Sequence, residues 1–184
     1  MAGRQWCREM GRAALAGELP RHQFTVAFDG RNLAPRRFNL SLVIGKGVVE
    51  WVAQQTQEFG NFGTDVGIGW ARDGRLIAGV AYANWNGVNV ECHIASDRSR
   101  RWLTREYLWT IFSYPFEQLG VNRITVCVGE GNSDSRRFVV HLGFELETTL
   151  QAAHPSGNLL IFRMWKKDCR WIRVDYAKPY ALAA

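Results

Sequence analysis

The chain has 184 residues, nearly half of them hydrophobic (47%), a size and composition that exclude an intrinsically disordered body and allow one domain with a substantial core. Its formal net charge of +6 is concentrated at the start, because residues 1–37 hold seven of the 23 Lys and Arg residues but only three of the 17 acidic ones. The near-neutral remainder argues against a body built to bind nucleic acid.

The cysteines, the histidines and the N-terminal sequence predict a cytoplasmic protein without a metal site. The four cysteines are far apart and form no C-x-x-C pair, and Cys92 and Cys127 lie in apolar strand patterns typical of buried thiols in a reducing compartment. The four histidines are scattered and form no H-E-x-x-H motif, so we expect no metal. The start lacks the apolar run of a signal peptide, and no stretch approaches a membrane span, so we expect no membrane partner.

Residues 1–37 show no strong periodicity, and we interpret them as a basic N-terminal extension that is loosely attached to the body. A first strand is predicted at Asn39–Ile44. The apolar spacing that follows, from Val48 to Phe59, predicts an amphipathic helix that ends at Gly60.

A strand meander with clear turn signals comes next. Strands are predicted at Asp65–Ala71 and Leu76–Asn84, on either side of Asp73-Gly74, a dipeptide typical of tight hairpin turns. Two glycines of the first of these strands, Gly67 and Gly69, are interpreted as positions where another element packs closely.

A second turn dipeptide, Asn86-Gly87, leads into a further strand at Asn89–Ile94. The side chains of this strand alternate between apolar and polar, which places Glu91 and His93 on one face and the apolar side chains on the other. We therefore expect a carboxylate and an imidazole to lie side by side on the sheet.

The junction Ser96–Arg101 holds three arginines and two serines, and the apolar period changes there from that of a strand to that of a helix. We predict a helix from Arg101 to Gly120, kinked or split at Pro115 because proline cannot donate a backbone hydrogen bond. A strand that feeds a helix through a basic turn is typical of a phosphate site. Solvated arginines at an exposed helix start remain the alternative.

The second half predicts one strand, one helix and a final hairpin, at Arg123–Gly129, Asp134–Leu142, Glu145–Ala152 and Leu159–Lys166. Asn132 or Ser133 caps the helix and Gly143 ends it. The first strand should lie parallel to Asn89–Ile94, since a helix connects the two. The resulting order, β-α-β-β-β-α-β-α-β-β, predicts an α/β fold in which helices flank a mixed central sheet.

Residues 132–144, N-S-D-S-R-R-F-V-V-H-L-G-F, resemble the motif N-x-x-A-x-x-x-Y-x-x-x-G-F of the GNAT superfamily of N-acetyltransferases. Asn132, Gly143 and Phe144 match the motif, and Ser135 stands for its small residue. The chain is also similar to compact GNAT proteins of phage and prophage genomes, which share strings such as I-A-S-D-R, W-L-T-R and H-L-G-F. The resemblance covers residues 38–171, which we take as the domain, with a C-terminal tail at 172–184.

Two departures from the family pattern concern the cofactor and the chemistry. Family members usually carry R/Q-x-x-G-x-G/A at the pyrophosphate turn, where this chain has Arg98-Ser99-Arg100-Arg101-Trp102-Leu103 and therefore no glycine. Val139 occupies the position where many relatives carry a tyrosine that can protonate the leaving thiolate.

The resemblance implies that two neighbouring strands splay apart and that the pantetheine arm of acetyl-CoA lies between them. It implies as acetyl-CoA-binding residues Ile94, Ala95, Ser96, Arg98, Arg100, Arg101, Trp102, Leu103, Asn132 and Ser135. It also implies that Glu91 acts as a base through water, with His93 on the same face. An outward-facing solvated glutamate and a histidine hydrogen-bonded within the sheet remain the alternatives.

The function that we expect from the resemblance is acetyl transfer from acetyl-CoA to a primary amine of a small molecule or protein, by a monomer or homodimer that needs no metal. One alternative is a GNAT-fold protein that has lost catalysis and binds a protein partner, which the altered turn and Val139 favour. Another is a nucleic-acid-modifying relative of the phage type, which the basic residues 1–37 favour and the near-neutral body opposes.

Overall fold

A computed structural model of the protein describes residues 39–56, 62–64, 66–99 and 101–173. The N-terminal extension predicted at 1–37, the helix end predicted at Gly60, the side chain of Arg100 and most of the predicted C-terminal tail lie outside these described residues. Their assignments stay predictions.

The described residues form one sheet of seven strands in the order β1-β2-β3-β4-β5-β7-β6. The strands are β1 Leu40–Ile44, β2 Gly67–Arg72, β3 Arg75–Ala83, β4 Asn89–Ser96, β5 Arg123–Gly129, β6 Glu145–His154 and β7 Gly157–Trp165. All neighbours pair antiparallel except β4 and β5, which are parallel as predicted. The predicted mixed sheet is confirmed.

The helices are α1 Lys46–Thr56, α2 Arg105–Ser113 and α3 Ser133–Leu142. A π-helical turn, Tyr114–Gln118, follows α2, and a short 3-10 turn, Lys166–Asp168, follows β7. The π-helical turn contains Pro115, so the interruption predicted at that residue is confirmed. In the described part of the chain, no helix combines the length and the apolar character needed to cross a membrane.

The start of α2 corrects the sequence prediction, which began the helix at Arg101. The helix begins at Arg105, because Thr104 has an extended backbone and its hydroxyl accepts a hydrogen bond from the N–H of Tyr107 at 3.2 Å. The residues between β4 and Thr104 form a turn instead, and Trp102 within it is only 4% exposed. Apolar periodicity continues through this turn because Trp102 and Leu103 pack on the core without being helical.

The core is divided between the two faces of the sheet. On one face, strand residues such as Val90, Ile124 and Phe162 pack with Tyr107 of α2 and Leu142 of α3. On the other face, α1 covers the first half of the sheet and buries its valines against alanines of β3 and β4. The second half of that face, formed by β5, β7 and β6, carries charged side chains such as Arg123 and Arg163 beside half-buried apolar ones such as Ile161 and Trp165.

Strand glycines set how closely α1 approaches the sheet. A Cβ atom added to Gly69 would lie 2.9 Å from a methyl group of Val48, and one added to Gly79 would lie 2.8 Å from a methyl group of Val52. These separations are shorter than side chains tolerate, so only glycine allows this contact. The prediction that Gly67 and Gly69 mark close packing is confirmed, and Gly79 belongs to the same set.

Candidate active site

The parallel strands β4 and β5 pair over three residues only, from Asn89 opposite Arg123 to Glu91 opposite Thr125. Beyond this point β4 continues to Ser96 paired with β3, and β5 continues to Gly129 paired with β7. Within the described ranges no ladder pair joins β4 to β5 after Glu91. The two strands therefore diverge, and the backbone groups along one edge of each face a wedge-shaped gap. We call this gap, between 92–96 of β4 and 126–129 of β5, the wedge.

A row of side-chain contacts ties the strands together at the closed end of the wedge. Thr125 donates from Oγ1 to Oδ1 of Asn89 at 2.8 Å, so one hydrogen bond crosses from β5 to β4. Arg123 donates to the same Thr125 hydroxyl at 3.3 Å and pairs with Glu147 of β6, with Nη1 to Oε1 at 3.0 Å. The hydrogen bond from Arg123 is the main cause that lowers the pKa of Glu147 below its ordinary value.

Glu91 and His93 lie together at the closed end, on the α1 face of the sheet, as the alternation of β4 predicted. Oε1 of Glu91 is 3.6 Å from Nε2 of His93, and the two side chains are 21% and 14% exposed. The His93 ring also stacks on Phe62, with ring centroids 3.9 Å apart. The second carboxylate oxygen of Glu91, Oε2, accepts a hydrogen bond from Nδ2 of Asn84 at 2.8 Å. Glu91 is thus a half-buried carboxylate with defined partners.

The basic turn between β4 and α2 lies at the open end of the wedge. Its conformation is fixed locally, since Ser96 Oγ accepts from the Arg98 N–H at 3.3 Å and Asp97 Oδ1 accepts from the Ser99 N–H at 2.9 Å. Arg98 adopts a left-handed backbone with φ +64°, and Arg98 and Arg101 are exposed. The hydroxyl of Ser99 is buried and has no hydrogen-bond partner among the described residues.

The two apolar residues of the predicted pyrophosphate turn are placed differently from the arginines. Trp102 packs its ring against Phe138 of α3 at 5.4 Å and edge-on to Tyr107 at 6.0 Å. Leu103 is half-buried and packs on the same core. Of Trp102, only the backbone could therefore face a ligand at the turn.

The start of α3 lies at the same end of the wedge, because it follows the carboxyl end of β5. Asn132 caps this helix, with Oδ1 accepting from the N–H of Ser135 at 3.0 Å. Asn132 is exposed and Ser135 is half-buried. The structure thus brings the basic turn, the unpaired edge at Ile94–Ser96 and the start of α3 to one end of the wedge, with Glu91 and His93 at the other.

Val139 and the tyrosines bear on the source of a proton for a leaving group. The Val139 side chain is 3% exposed and lies in the main core. The hydroxyl of Tyr82 donates to the Ile111 carbonyl at 2.7 Å, and that of Tyr107 donates to the Ile68 carbonyl at 2.8 Å. Both hydroxyl protons are therefore engaged in buried hydrogen bonds.

The thiols differ from one another in burial. Cys92 is 4% exposed, and burial raises the pKa of its thiol well above the ordinary value, so it stays protonated at neutral pH. Cys127 was expected to be buried but is half-buried, because it lies on the face of β5 that no described helix covers. Within the described ranges, no three His, Cys, Asp or Glu side chains converge as metal ligands would.

Three further residues of this region, Phe62, Asn84 and Ser99, carry no sequence signal of a role. Phe62 and His93 are 31 positions apart in the sequence and meet only through the fold. Asn84 looks like an ordinary strand end before a turn, and Ser99 looks like one polar residue of a polar turn.

Comparison with known proteins identifies the architecture. Neither a family model nor a curated protein matches the sequence. Among solved structures, a variant of the spermidine/spermine N-acetyltransferase SpeG from Vibrio cholerae is similar, with a TM-score of 0.57 and 13% identity over 70% of this chain and 95% of that one. Ard1 from Thermoplasma volcanium is similar as well, with a TM-score of 0.54 and 14% identity over 68% of this chain and 97% of that one.

The fold is that of the GNAT acetyltransferases. At identities of 13–14% the likeness establishes the fold, and with it the predicted α/β architecture. The agreement extends over nearly the whole length of both solved proteins, 95% and 97%.

Proposed function

We propose that the chain is an acyl-CoA-dependent N-acyltransferase that transfers an acetyl group from acetyl-CoA to a primary amine. The observation that carries this proposal is the wedge, where β4 and β5 part after three pairs while their outer edges stay paired. Such an opening offers unpaired backbone donors and acceptors inside a sheet, which a linear amide-bearing molecule can satisfy.

Acetyl-CoA fits the groups that surround the wedge. Its pantetheine amides would pair with the free edge of β4 at Ile94, Ala95 and Ser96. Its pyrophosphate would lie on the basic turn, where Arg98 and Arg101 are exposed and Ser99 offers a buried hydroxyl that lacks a described partner. A helix leaves its first N–H groups without an intrahelical partner, and Thr104 caps one of those of α2, the N–H of Tyr107. The others would serve the same purpose.

Three more groups would contribute to this binding site. Arg100 would add a third positive charge, because it lies between Arg98 and Arg101 in the sequence. Asn132 and Ser135 at the start of α3 would line the opposite side of the wedge mouth, with the exposed Asn132 amide facing the arm. Trp102 and Leu103 would support the turn from below, through the core.

The residues at the closed end suit proton transfer from an amine. When bound, acetyl-CoA supplies a thioester carbonyl to the nucleophile, and the amine must be neutral to attack it. Glu91 and His93 form a half-buried acceptor pair 3.6 Å apart on the α1 face, and a water molecule between Glu91 and the amine would pass the proton on. Backbone N–H groups of the diverging β4 edge would stabilise the developing oxyanion.

The proposal is tested first by calorimetry with acetyl-CoA and then by mass spectrometry after incubation with amines. We expect binding of acetyl-CoA and an acetylated product with at least one amine of a panel that spans polyamines, amino sugars, amino acids and peptide N-termini. Absence of acetyl-CoA binding would contradict the proposal outright.

A protein of the same fold without catalysis is the second candidate. Val139 favours it, because the usual proton donor is missing from that position, and the hydroxyls of Tyr82 and Tyr107 are already engaged in buried hydrogen bonds. Binding of acetyl-CoA without turnover of any amine would support this candidate. A nucleic-acid-modifying role, suggested by the resemblance to phage proteins, would require gel-shift binding that survives removal of residues 1–37.

A further inference from the structure

Asn84 occupies an unusual position at the end of β3. Its backbone has φ +52°, a left-handed conformation that residues other than glycine rarely adopt, although asparagine tolerates it better than most. Its side chain reaches across to the neighbouring strand, where Nδ2 donates to Oε2 of Glu91 at 2.8 Å. The partner atom must be the amide nitrogen, because an ionised carboxylate only accepts hydrogen bonds.

The loop between β3 and β4 does not need the Asn84 side chain to hold its conformation. The loop between β3 and β4 is held by Asn86, whose Oδ1 accepts from the N–H of Val88 at 3.1 Å and from the N–H of Asn89 at 2.9 Å. The Asn86 N–H in turn donates to the Asn89 carbonyl at 3.1 Å. Asn86 therefore holds the loop closed, whereas the side chain of Asn84 hydrogen-bonds to Glu91.

The consequence for Glu91 is a fixed carboxylate. Holding Oε2 leaves Oε1 as the oxygen directed towards His93, at 3.6 Å from Nε2. A glutamate side chain has three rotatable bonds and would otherwise sample several orientations on a half-covered sheet. One amide anchored at the end of β3 removes much of this freedom.

We propose that Asn84 is a positioning residue, which orients the Glu91 carboxylate between His93 and the closed end of the wedge. This role rests on the proposed acyltransfer and adds to it a residue outside the strand that bears the base. Asn84 acts through Glu91 and does not itself touch the reacting atoms.

The test uses four full-length chains in a cycle: wild type, Asn84→Gly, Glu91→Gln and the double variant. Glycine adopts φ +52° without strain, so Asn84→Gly removes the amide and keeps the turn. We expect kcat to fall about 10- to 100-fold in Asn84→Gly, the range for one hydrogen bond to a charged group, with KM for acetyl-CoA unchanged. In the Glu91→Gln background the same change should alter kcat by less than about twofold, because its target has lost its charge.

Asp73→Gly is the matched control. Asp73 also has a left-handed backbone, φ +50°, in the hairpin turn between β2 and β3, and its side chain accepts from the N–H of Asn39. Asp73→Gly, like Asn84→Gly, replaces a polar residue of left-handed backbone by glycine, but it lies away from the wedge. Its kcat should therefore stay at the wild-type value even if the melting temperature falls.

Three results would overturn the role of Asn84. They are an unchanged kcat in Asn84→Gly, an equal loss in the wild-type and Glu91→Gln backgrounds, and a loss matched by Asp73→Gly. Should Asn84→Gly fold poorly, Asn84→Asp keeps a side chain suited to φ +52° and sets a second carboxylate against Glu91, and its kcat should fall at least as far. A wild-type chain that acetylates no amine overturns the proposed function and this role together, and differs from the other results because wild type itself is inactive.

Discussion

At the scale of single residues, Glu91 is defined by two contacts, a hydrogen bond from Asn84 and the proximity of His93. The alternation of β4 was sufficient to place Glu91 and His93 on one face, because side chains of a strand alternate whatever the rest of the fold does. The contacts that define Glu91, from Asn84 and His93, depend on the register of β3 against β4 and could not be read from spacing. The orphan hydroxyl of Ser99 is likewise a consequence of how the turn folds.

The first prediction concerns Glu91 as the base. Glu91→Gln keeps the shape of the side chain and removes the charge, so kcat should fall about 10²–10⁴-fold at neutral pH, the usual contribution of general base catalysis. The affinity for acetyl-CoA should stay nearly unchanged, because Glu91 lies at the closed end of the wedge and the arginines at the open end. The loss should shrink at high pH, where the amine deprotonates without help. Equal turnover of wild type and variant across the pH range would remove Glu91 from the mechanism.

A second prediction concerns the basic turn. Replacing Arg98, Arg100 and Arg101 together by Ala should weaken acetyl-CoA binding about 10- to 100-fold in calorimetry, since charge-assisted hydrogen bonds contribute about 1.5–3 kcal/mol each before solvent screening. The melting temperature should change little, because the described arginines are exposed. Lys167→Ala, at an exposed position of the 3-10 turn after β7, is the control and should not change the affinity. An unaltered Kd in the triple variant would show that these arginines are solvated surface residues that do not bind the pyrophosphate.

At the scale of secondary structure, the periodicity of the sequence predicted which face of a strand each side chain occupies, but not which strand edges are paired. Each strand in the described part of the chain was predicted within a few residues, and so was the break at Pro115. The divergence of β4 and β5 left no trace in the pattern, because buried and half-buried residues alternate along most of both strands whether or not the strands are paired. The helix start was predicted four residues too early for a similar reason. Trp102 and Leu103 are apolar because they pack on the core from a turn, and they do not belong to a helix.

The row of contacts at the closed end of the wedge gives the third prediction. Thr125→Val keeps the shape and strand propensity but removes the hydrogen bond to Asn89 and the acceptor for Arg123. The free energy of unfolding in urea should fall by about 1–2 kcal/mol, because a partly buried acceptor loses its donor. Thr148→Val on the exposed strand β6 is the control and should stay within about 0.5 kcal/mol of wild type. The two variants having equal stability would show that the contact does not hold the strands together.

The fourth prediction compares two glycines at the interface of α1 with the sheet. Gly79→Ala would place a methyl group 2.8 Å from Val52 and should lower the free energy of unfolding by about 1–3 kcal/mol, as overpacking does. Gly47→Ala, in α1 itself, meets no atom within 4 Å and should be neutral or stabilise by up to about 1 kcal/mol, because alanine favours a helix. Urea titration of both variants measures the difference. A Gly79→Ala variant as stable as Gly47→Ala would mean that α1 can move away from the sheet.

At the scale of the whole molecule, the element order decided the architecture and left the function open. In the described ranges, seven strands and three α-helices follow the predicted order, and the parallel pairing of β4 with β5 follows from the helical connection between them. A substrate cannot be derived from the element order in the same way, because the charged side chains on β5, β6 and β7 pair with one another. Arg123 pairs with Glu147, and Arg163 pairs with Glu145. The N-terminal extension at 1–37 stays a prediction from charge and patterning.

The last prediction follows from groups buried in their neutral form. Burial raises the pKa of Cys169 from 9.0 to about 11 and that of Tyr114 from 10.0 to about 12, and it raises the pKa of Cys92 and Tyr82 as well. A raised pKa means that the folded chain holds protons which the unfolded chain releases, so the stabilisation is complete below the unfolded value and is lost as pH rises towards the folded one. The free energy of unfolding, measured by urea titration, should therefore fall progressively above pH 9, with a slope of about 1.4 kcal/mol per pH unit for each proton released.

The thiol part of this alkaline loss can be isolated. Cys169→Ala removes one ionisable group that is fully buried in the core, so the decline between pH 9 and about 11 should become shallower by about one proton, whatever the cavity does to stability at pH 7. Arg137→Ala, which removes an exposed side chain of α3, is the control and should keep the wild-type slope. If stability stays constant up to pH 11, or if Cys169→Ala declines as steeply as wild type, the thiol titrates in the folded chain as it does in the unfolded one, and burial is not what governs alkaline unfolding.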